Sequence, residues 1–178
     1  MNKRTTLVAF IVAVIIQILI LVAVPAQKVF TRATGKTVVL KVQPVDPYNI
    51  LSGYYATLGF DISRVEAFPN ARGMSQEFSD GTSVYAIVEK GDDGTWKPVS
   101  LERELPANLP DNRAAVLGRT SHRGISYGIE EFYFPEAQRD RITQDLRTNA
   151  DKARVEIKVD RSGHAALERL IIDNRVYE

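Results

Sequence analysis

Cysteine is absent from the 178 residues, which excludes disulfide bonds, thiolate nucleophiles and thiolate-held zinc. An oxidising compartment is compatible with such a chain. Histidine is nearly as scarce: His122 and His164 both read as loop residues, and no His-x-x-x-His spacing offers ligands to a metal. Neither charge sign is in excess, with 23 Lys and Arg against 22 Asp and Glu, so no net field draws in a polyanion and nucleic acid is not an expected partner. A phosphate-cradling loop is missing too, because Gly91 to Gly94 lacks both the Lys-Ser/Thr ending and a following helix. No cofactor is expected. A Ser-His-Asp triad could be written down from Ser121 or Ser126 with His122 or His164, but no nucleophile elbow supports it. Neither an internal repeat nor a low-complexity run is found. An apolar share of 44% with 25% charge is the balance of a folded chain rather than a disordered one.

The most conspicuous feature present is apolar. From Thr6 to Val24 the chain carries no charge and one strongly polar group, Gln17. As a helix this segment spans roughly 28 Å, close to the ~30 Å hydrocarbon core of a bilayer. Pro25 is expected to stop the helix near the far interface. The rival reading is a cleaved signal peptide, with a basic start at Lys3 and Arg4 and small residues around Val24-Pro25-Ala26. The apolar run exceeds the usual signal core of about 7–15 residues, which favours a retained anchor. The expected layout is a tail and transmembrane anchor over 1–27, a juxtamembrane linker over 28–36 and a domain over 37–178. Lys3 and Arg4 before the helix nearly balance Lys28, Arg32 and Lys36 after it, so charge alone leaves orientation open. The short tail before a signal-like helix puts the N-terminus in the cytoplasm and the domain on the periplasmic or other extracytoplasmic side.

Beyond the anchor the period is two. Val38, Leu40 and Val42 alternate with polar or outward positions; Ala56, Leu58, Phe60 and Ile62 share one face of a strand over Tyr54–Ile62; Val84, Ala86 and Val88 repeat the pattern. Gly91-Asp92-Asp93-Gly94 turns the chain toward Trp96, and Asp160-Arg161-Ser162-Gly163 joins Val155, Ile157 and Val159 to a closing strand with Leu167, Leu170 and Ile172. One helix is expected from Pro135 to about Thr148, carrying Ile142, Leu146 and Ala150 at every fourth residue. Short strands without crossover helices predict antiparallel pairing. The fold class is mainly β, an antiparallel sandwich or barrel-like domain with one packed helix, preceded by a single N-terminal transmembrane helix.

Two segments stand out as signatures. The first runs Pro44-Val45-Asp46-Pro47 and on through Gly53-Tyr54-Tyr55-Ala56-Thr57-Leu58-Gly59-Phe60; the second is Tyr127-Gly128-Ile129-Glu130-Glu131-Phe132-Tyr133-Phe134. Together they resemble the GDYXXLXY family of bacterial membrane-anchored proteins. Gly53, Tyr55 and Leu58 match the first motif, whereas Tyr54 replaces its Asp and Phe60 its final Tyr. The resemblance implies an anchored domain that accompanies polytopic membrane proteins, without an assigned reaction. From the residues themselves, Asp46 between prolines can close a turn, Gly53 can take a positive φ, and Gly128 can admit a close approach. Phe132 and Phe134 are expected in the core, and Glu130 and Glu131 on opposite faces of a strand.

The leading expectation is a non-catalytic, membrane-anchored extracytoplasmic accessory domain that binds or stabilises a membrane-protein complex. Asp46, Pro47, Gly53, Tyr55, Leu58, Tyr127, Gly128 and Glu130 are its candidate partner-binding residues; none is assigned as catalytic or metal-ligating. Its partners are the lipid bilayer and a polytopic membrane protein or complex. The alternative is a membrane-tethered envelope hydrolase using Asp46 or Glu130, with His122 assisting. A carboxylate pair would need to meet within about 5–10 Å. A sensor module is a third reading, for which the short tail leaves little room for output.

Overall fold

The protein is described here by a computed structural model covering residues 3–43, 51–52, 55–71 and 79–178. It opens with α1, Lys3–Thr34, which runs without interruption through Pro25. The expectation that Pro25 ends the helix is therefore corrected. A proline removes one backbone donor, that to the Leu21 carbonyl, and membrane helices tolerate that loss. The helix from Leu7 onward is apolar and long enough to cross a membrane.

The expected linker over 28–36 is not slack either. Residues 28–34 are the last turns of α1, and only Gly35 separates them from β1, Lys36–Gln43. Thr31 is 1% exposed, and its hydroxyl donates to Asp160 Oδ2 at 2.7 Å. Arg32 donates through Nη2 to the Leu167 carbonyl at 2.8 Å. A Cβ on Gly35 would stand 2.5 Å from the Thr31 carbonyl oxygen and 2.8 Å from the Val159 nitrogen, so glycine alone lets helix and sheet meet this closely. The anchor is seated on the domain.

The remaining strands are β2 (Leu51–Ser52), β3 (Tyr55–Thr57), β4 (Gly59–Phe60), β5 (Ser83–Lys90), β6 (Trp96–Glu102), β7 (Arg113–Ser121), β8 (Gly124–Ser126), β9 (Glu131–Tyr133), β10 (Ala153–Val159), β11 (Ala165–Ile172) and β12 (Arg175–Tyr177). Among the described residues all neighbouring strands pair antiparallel, in three sheets ordered β12-β11-β10-β1-β4, β2-β3-β9 and β6-β5-β7-β8. The predicted barrel-like β domain is what forms. Val38, Leu40 and Val42 of β1, Val155 and Ile157 of β10, Val84 and Val88 of β5 and Val116 of β7 all enter one core. Burying each such side chain contributes about 1.5–3 kcal/mol.

Two local departures have physical causes. A bulge between Glu156 and Ile157 shifts the β10–β11 register, which is why Leu167 precedes the Leu170 and Ile172 pair by an odd step. The single strand expected over Tyr54–Ile62 is broken at Leu58 into β3 and β4, followed by a 3₁₀ turn at Asp61–Ser63. Ala56, Leu58, Phe60 and Ile62 are nevertheless all buried, as their alternation requires.

The predicted helix is α2, Arg139–Thr148, preceded by a 3₁₀ turn at Glu136–Gln138; Ile142 and Leu146 are buried, while Ala150 falls in the following 3₁₀ turn. Its buried Asp145 fastens it to β12. Arg175 Nη1 donates to both carboxylate oxygens at 2.9 Å, and the Tyr177 hydroxyl donates to Oδ2 at 2.5 Å. The Tyr177 bond and then Arg175 hold the Asp145 carboxyl below its ordinary 3.8, against the opposing effect of burial. A folded-state value below the unfolded one gives stability that is present above 3.8 and is lost as pH falls through the folded value. Thermal melts of the full chain and Asp145→Asn, run from about pH 6 to about pH 2.5, are expected to differ at the upper end and converge at the lower. A gap that stays constant with pH would remove the carboxylate from this account.

Candidate functional site

The two signature segments meet. β3, from the first, pairs with β9, from the second, in the register Tyr55↔Tyr133, Ala56↔Phe132 and Thr57↔Glu131, with β2 on the other side of β3. Where β3 ends, the Leu58 N–H donates to the Glu130 carbonyl at 2.7 Å. The break in the expected strand is thus a point of attachment between the motifs.

The second segment is built as a turn. Gly128 takes φ +73°, a conformation glycine adopts without strain. The turn lets Glu130 reach back, so that its Oε1 accepts the Tyr127 N–H at 2.5 Å. Glu130 therefore lies before β9 rather than in a strand with Glu131, which corrects the expectation for that pair. The Tyr127 ring is buried, and its hydroxyl donates to the Ile62 carbonyl at 2.6 Å. Burial first, and the nearby Glu130 charge second, push the Tyr127 hydroxyl well above its ordinary value of 10.0. It stays a hydrogen-bond donor. Gly118 on β7 makes room for this ring, since a Cβ there would come within 2.7 Å of Tyr127 Cε1.

Among the candidate residues, Leu58 and Tyr127 are core, Gly128 and Glu130 form the turn, and Tyr55 is half-buried with its ring 5.6 Å from that of Tyr133. Asp46, Pro47 and Gly53 lie outside the described residues. Phe132 and Phe134 are buried, as their alternation predicts. His122 and His164 stand in two different hairpin turns, within 3.9 Å of Asp80 and 3.6 Å of Asp160 respectively. No group of three or more His, Cys, Asp or Glu side chains among the described residues is arranged to hold a metal. At Glu130 one carboxylate oxygen is committed to the Tyr127 N–H.

Among the described residues, the outward side of β9 carries exposed side chains of the second motif. Tyr133 is 65% exposed, and its hydroxyl donates to Glu131 Oε2 at 2.5 Å, which raises the Tyr133 hydroxyl from its ordinary value. Glu131, Phe132 and Tyr133 line a cleft of about 430 Å³ together with Arg32 of α1, and with Leu167, Glu168 and Glu178. The motif strand and the end of the anchor thus share one surface. Arg32 had no signal in the sequence beyond its charge, because nothing local says that the helix reaches the sheet.

The sequence matches the family described as GDYXXLXY protein over residues 17–170, from the middle of the anchor almost to the end of β11. The chain belongs to the GDYXXLXY family. The match takes in both signature segments and the second half of α1, so the GDYXXLXY unit includes the seated end of the helix as well as the β domain. No curated protein and no solved structure matches the chain.

Proposed function

We propose that this GDYXXLXY protein is a non-catalytic accessory domain, anchored by α1 with its N-terminus in the cytoplasm, that binds or stabilises a membrane-protein complex on the extracytoplasmic face. One observation carries the reading: the cleft at the foot of the anchor joins Arg32 to the motif strand at Glu131 and Tyr133. A surface placed there is presented to whatever lies beside the anchor in the same membrane. Among the described residues of the two motifs, Leu58, Tyr127 and Glu130 are bonded inward, while Glu131 and Tyr133 on the outward side of β9 stay exposed. Tethering in two dimensions raises the local concentration of neighbours, so a cleft of modest area suffices.

Gentle detergent extraction of native membranes is expected to co-purify a polytopic membrane protein with the full chain. Tyr133→Ala combined with Glu131→Lys, both at exposed positions, is expected to abolish the association while leaving the melting temperature unchanged. Isolation of the wild-type chain as a bare monomer under the same conditions would overturn the proposal.

A further inference from the structure

The anchor does not turn polar at Lys28. Val29 and Phe30 follow it, 66% and 62% exposed, and the domain leaves both uncovered. Lipid is the cover that their place on the anchor supplies, with the Lys28 ammonium reaching past them to the headgroups. Residues 6–30 are about 37 Å long as a helix, a length that a tilted span accommodates. Hydrocarbon up to Phe30 puts Thr34 about 6 Å higher, within a headgroup layer roughly 5–7 Å deep. The foot of the domain then stands among headgroups. A cavity of about 540 Å³ opens there, between Thr34, Gly35 and Lys36, the β6–β7 loop at Leu105 and Leu109, and Arg161 of the β10–β11 turn. It shares no residue with the cleft at Tyr133. Leu105, 38% exposed, gives it an apolar rim.

The charges that line this cavity balance. Arg113 is paired with Glu89 at 2.9 Å, and Asp160 is bonded to the Thr31 hydroxyl and to two backbone N–H groups. The Lys36 ammonium donates to the carbonyls of Asp111 and Arg113 at 2.7 and 3.2 Å, which leaves its third N–H to give. Arg161 and Asp111 are exposed and make no side-chain bond among the described residues. Two cations, Lys36 and Arg161, are thus set against two carboxylates, Asp111 and Asp160. We infer that the cavity binds the headgroup of a phospholipid carrying both a phosphate and a primary ammonium. The phosphate takes the third N–H of Lys36 and the Arg161 guanidinium. The ammonium takes Asp111 and the last carbonyls of α1, which lack intrahelical donors and carry partial negative charge. A purely anionic headgroup would leave Asp111 facing like charge, and a quaternary ammonium has no N–H to donate. The acyl chains leave over the rim at Leu105. This inference needs α1 in a bilayer but not the partner of the accessory reading, since Arg32, Glu131 and Tyr133 do not line the cavity.

The test is native mass spectrometry of the full chain, released in mild detergent from bilayers holding equal parts of phosphatidylethanolamine, phosphatidylglycerol and phosphatidylcholine. One phosphatidylethanolamine is expected to stay on each chain. Arg161→Gln, at a position that bonds nothing in the fold, is expected to lower that retention roughly tenfold, and Lys36→Gln to do the same. Asp111→Asn removes the ammonium's partner and leaves the cations in excess, so retention is expected to switch to phosphatidylglycerol, a gain that misfolding cannot imitate. Glycerophosphoethanolamine, which has the headgroup without the chains, should displace the lipid only in large excess. Equal retention of all three lipids, preference for phosphatidylglycerol in the wild type, no retained lipid, or retention indifferent to both Arg161→Gln and Asp111→Asn would overturn the inference. Displacement by equimolar glycerophosphoethanolamine would overturn the lipid as occupant. Each of these outcomes leaves the accessory reading standing, and loss of the co-purified membrane protein with lipid retention intact would end that reading alone.

Discussion

Gly124→Ala is expected to destabilise the domain by about 3 kcal/mol and to lower its melting temperature by roughly 10 °C. Gly124 opens β8 at φ +120°, a region L side chains rarely adopt, and a Cβ there would press into the backbone carbonyl oxygen of Ser63. Neither partner can yield cheaply. Ser63 closes the 3₁₀ turn whose neighbouring carbonyl, Ile62, accepts the buried Tyr127 hydroxyl, so a shift there also loosens the second motif. Gly94→Ala provides the comparison, because Gly94 has φ +77° with nothing within 4 Å of an added Cβ. Its cost is expected to be the backbone penalty alone, about 1 kcal/mol. Thermal melts of the detergent-solubilised full chain measure both; equal losses would show that the approach to Ser63 contributes nothing.

Asp160→Ala is expected to cost about 3 kcal/mol and to free the anchor from the domain. One carboxylate serves two structures. Its Oδ1 accepts the N–H groups of Ser162 and His164 at 2.9 and 3.1 Å, closing the β10–β11 turn, while Oδ2 accepts the Thr31 hydroxyl. The side chain is 9% exposed, so removing it strands donors that water cannot readily reach. Thr31→Val removes the helix bond and spares the turn; its expected loss is about 1 kcal/mol. Absence of cysteine makes the measurement clean: spin labels at Val29→Cys and Arg119→Cys, both exposed, should report a narrow distance distribution in the wild-type background. It should broaden in both variants. A distribution unchanged by Asp160→Ala would show that the seat does not depend on this carboxylate.

What the sequence disclosed was chiefly what alternation encodes. β1, β5, β10 and the hairpin at Asp160–Gly163 lie where the period of two and the turn residues put them, because each has one face on the core. β7 is not legible in that way: Ala114, Ala115 and Val116 are all buried, and a strand covered on both sides does not alternate. The break at Leu58 was hidden for the opposite reason, since the chain leaves and resumes its pairing without losing the phase of its buried residues. At the site, the alternation placed Phe132 and Phe134, but the attachment of Glu130 to Tyr127 depends on a turn at Gly128 and is nonlocal in its effect. Pro25 misled by being read with the rules of helices in water, where an unpaired carbonyl would find solvent and the helix an end.

The seat of α1 has one more consequence, and it concerns heading. With only Gly35 between helix and sheet, there is no swivel, so the direction in which the domain faces across the membrane surface is set by how many residues α1 contains. One residue more or fewer would turn the domain by about 100° and move it about 1.5 Å; seven would bring it nearly back to its first bearing. The anchor thus acts as a keyed shaft as well as a tether, and its length encodes an azimuth that no single side chain carries.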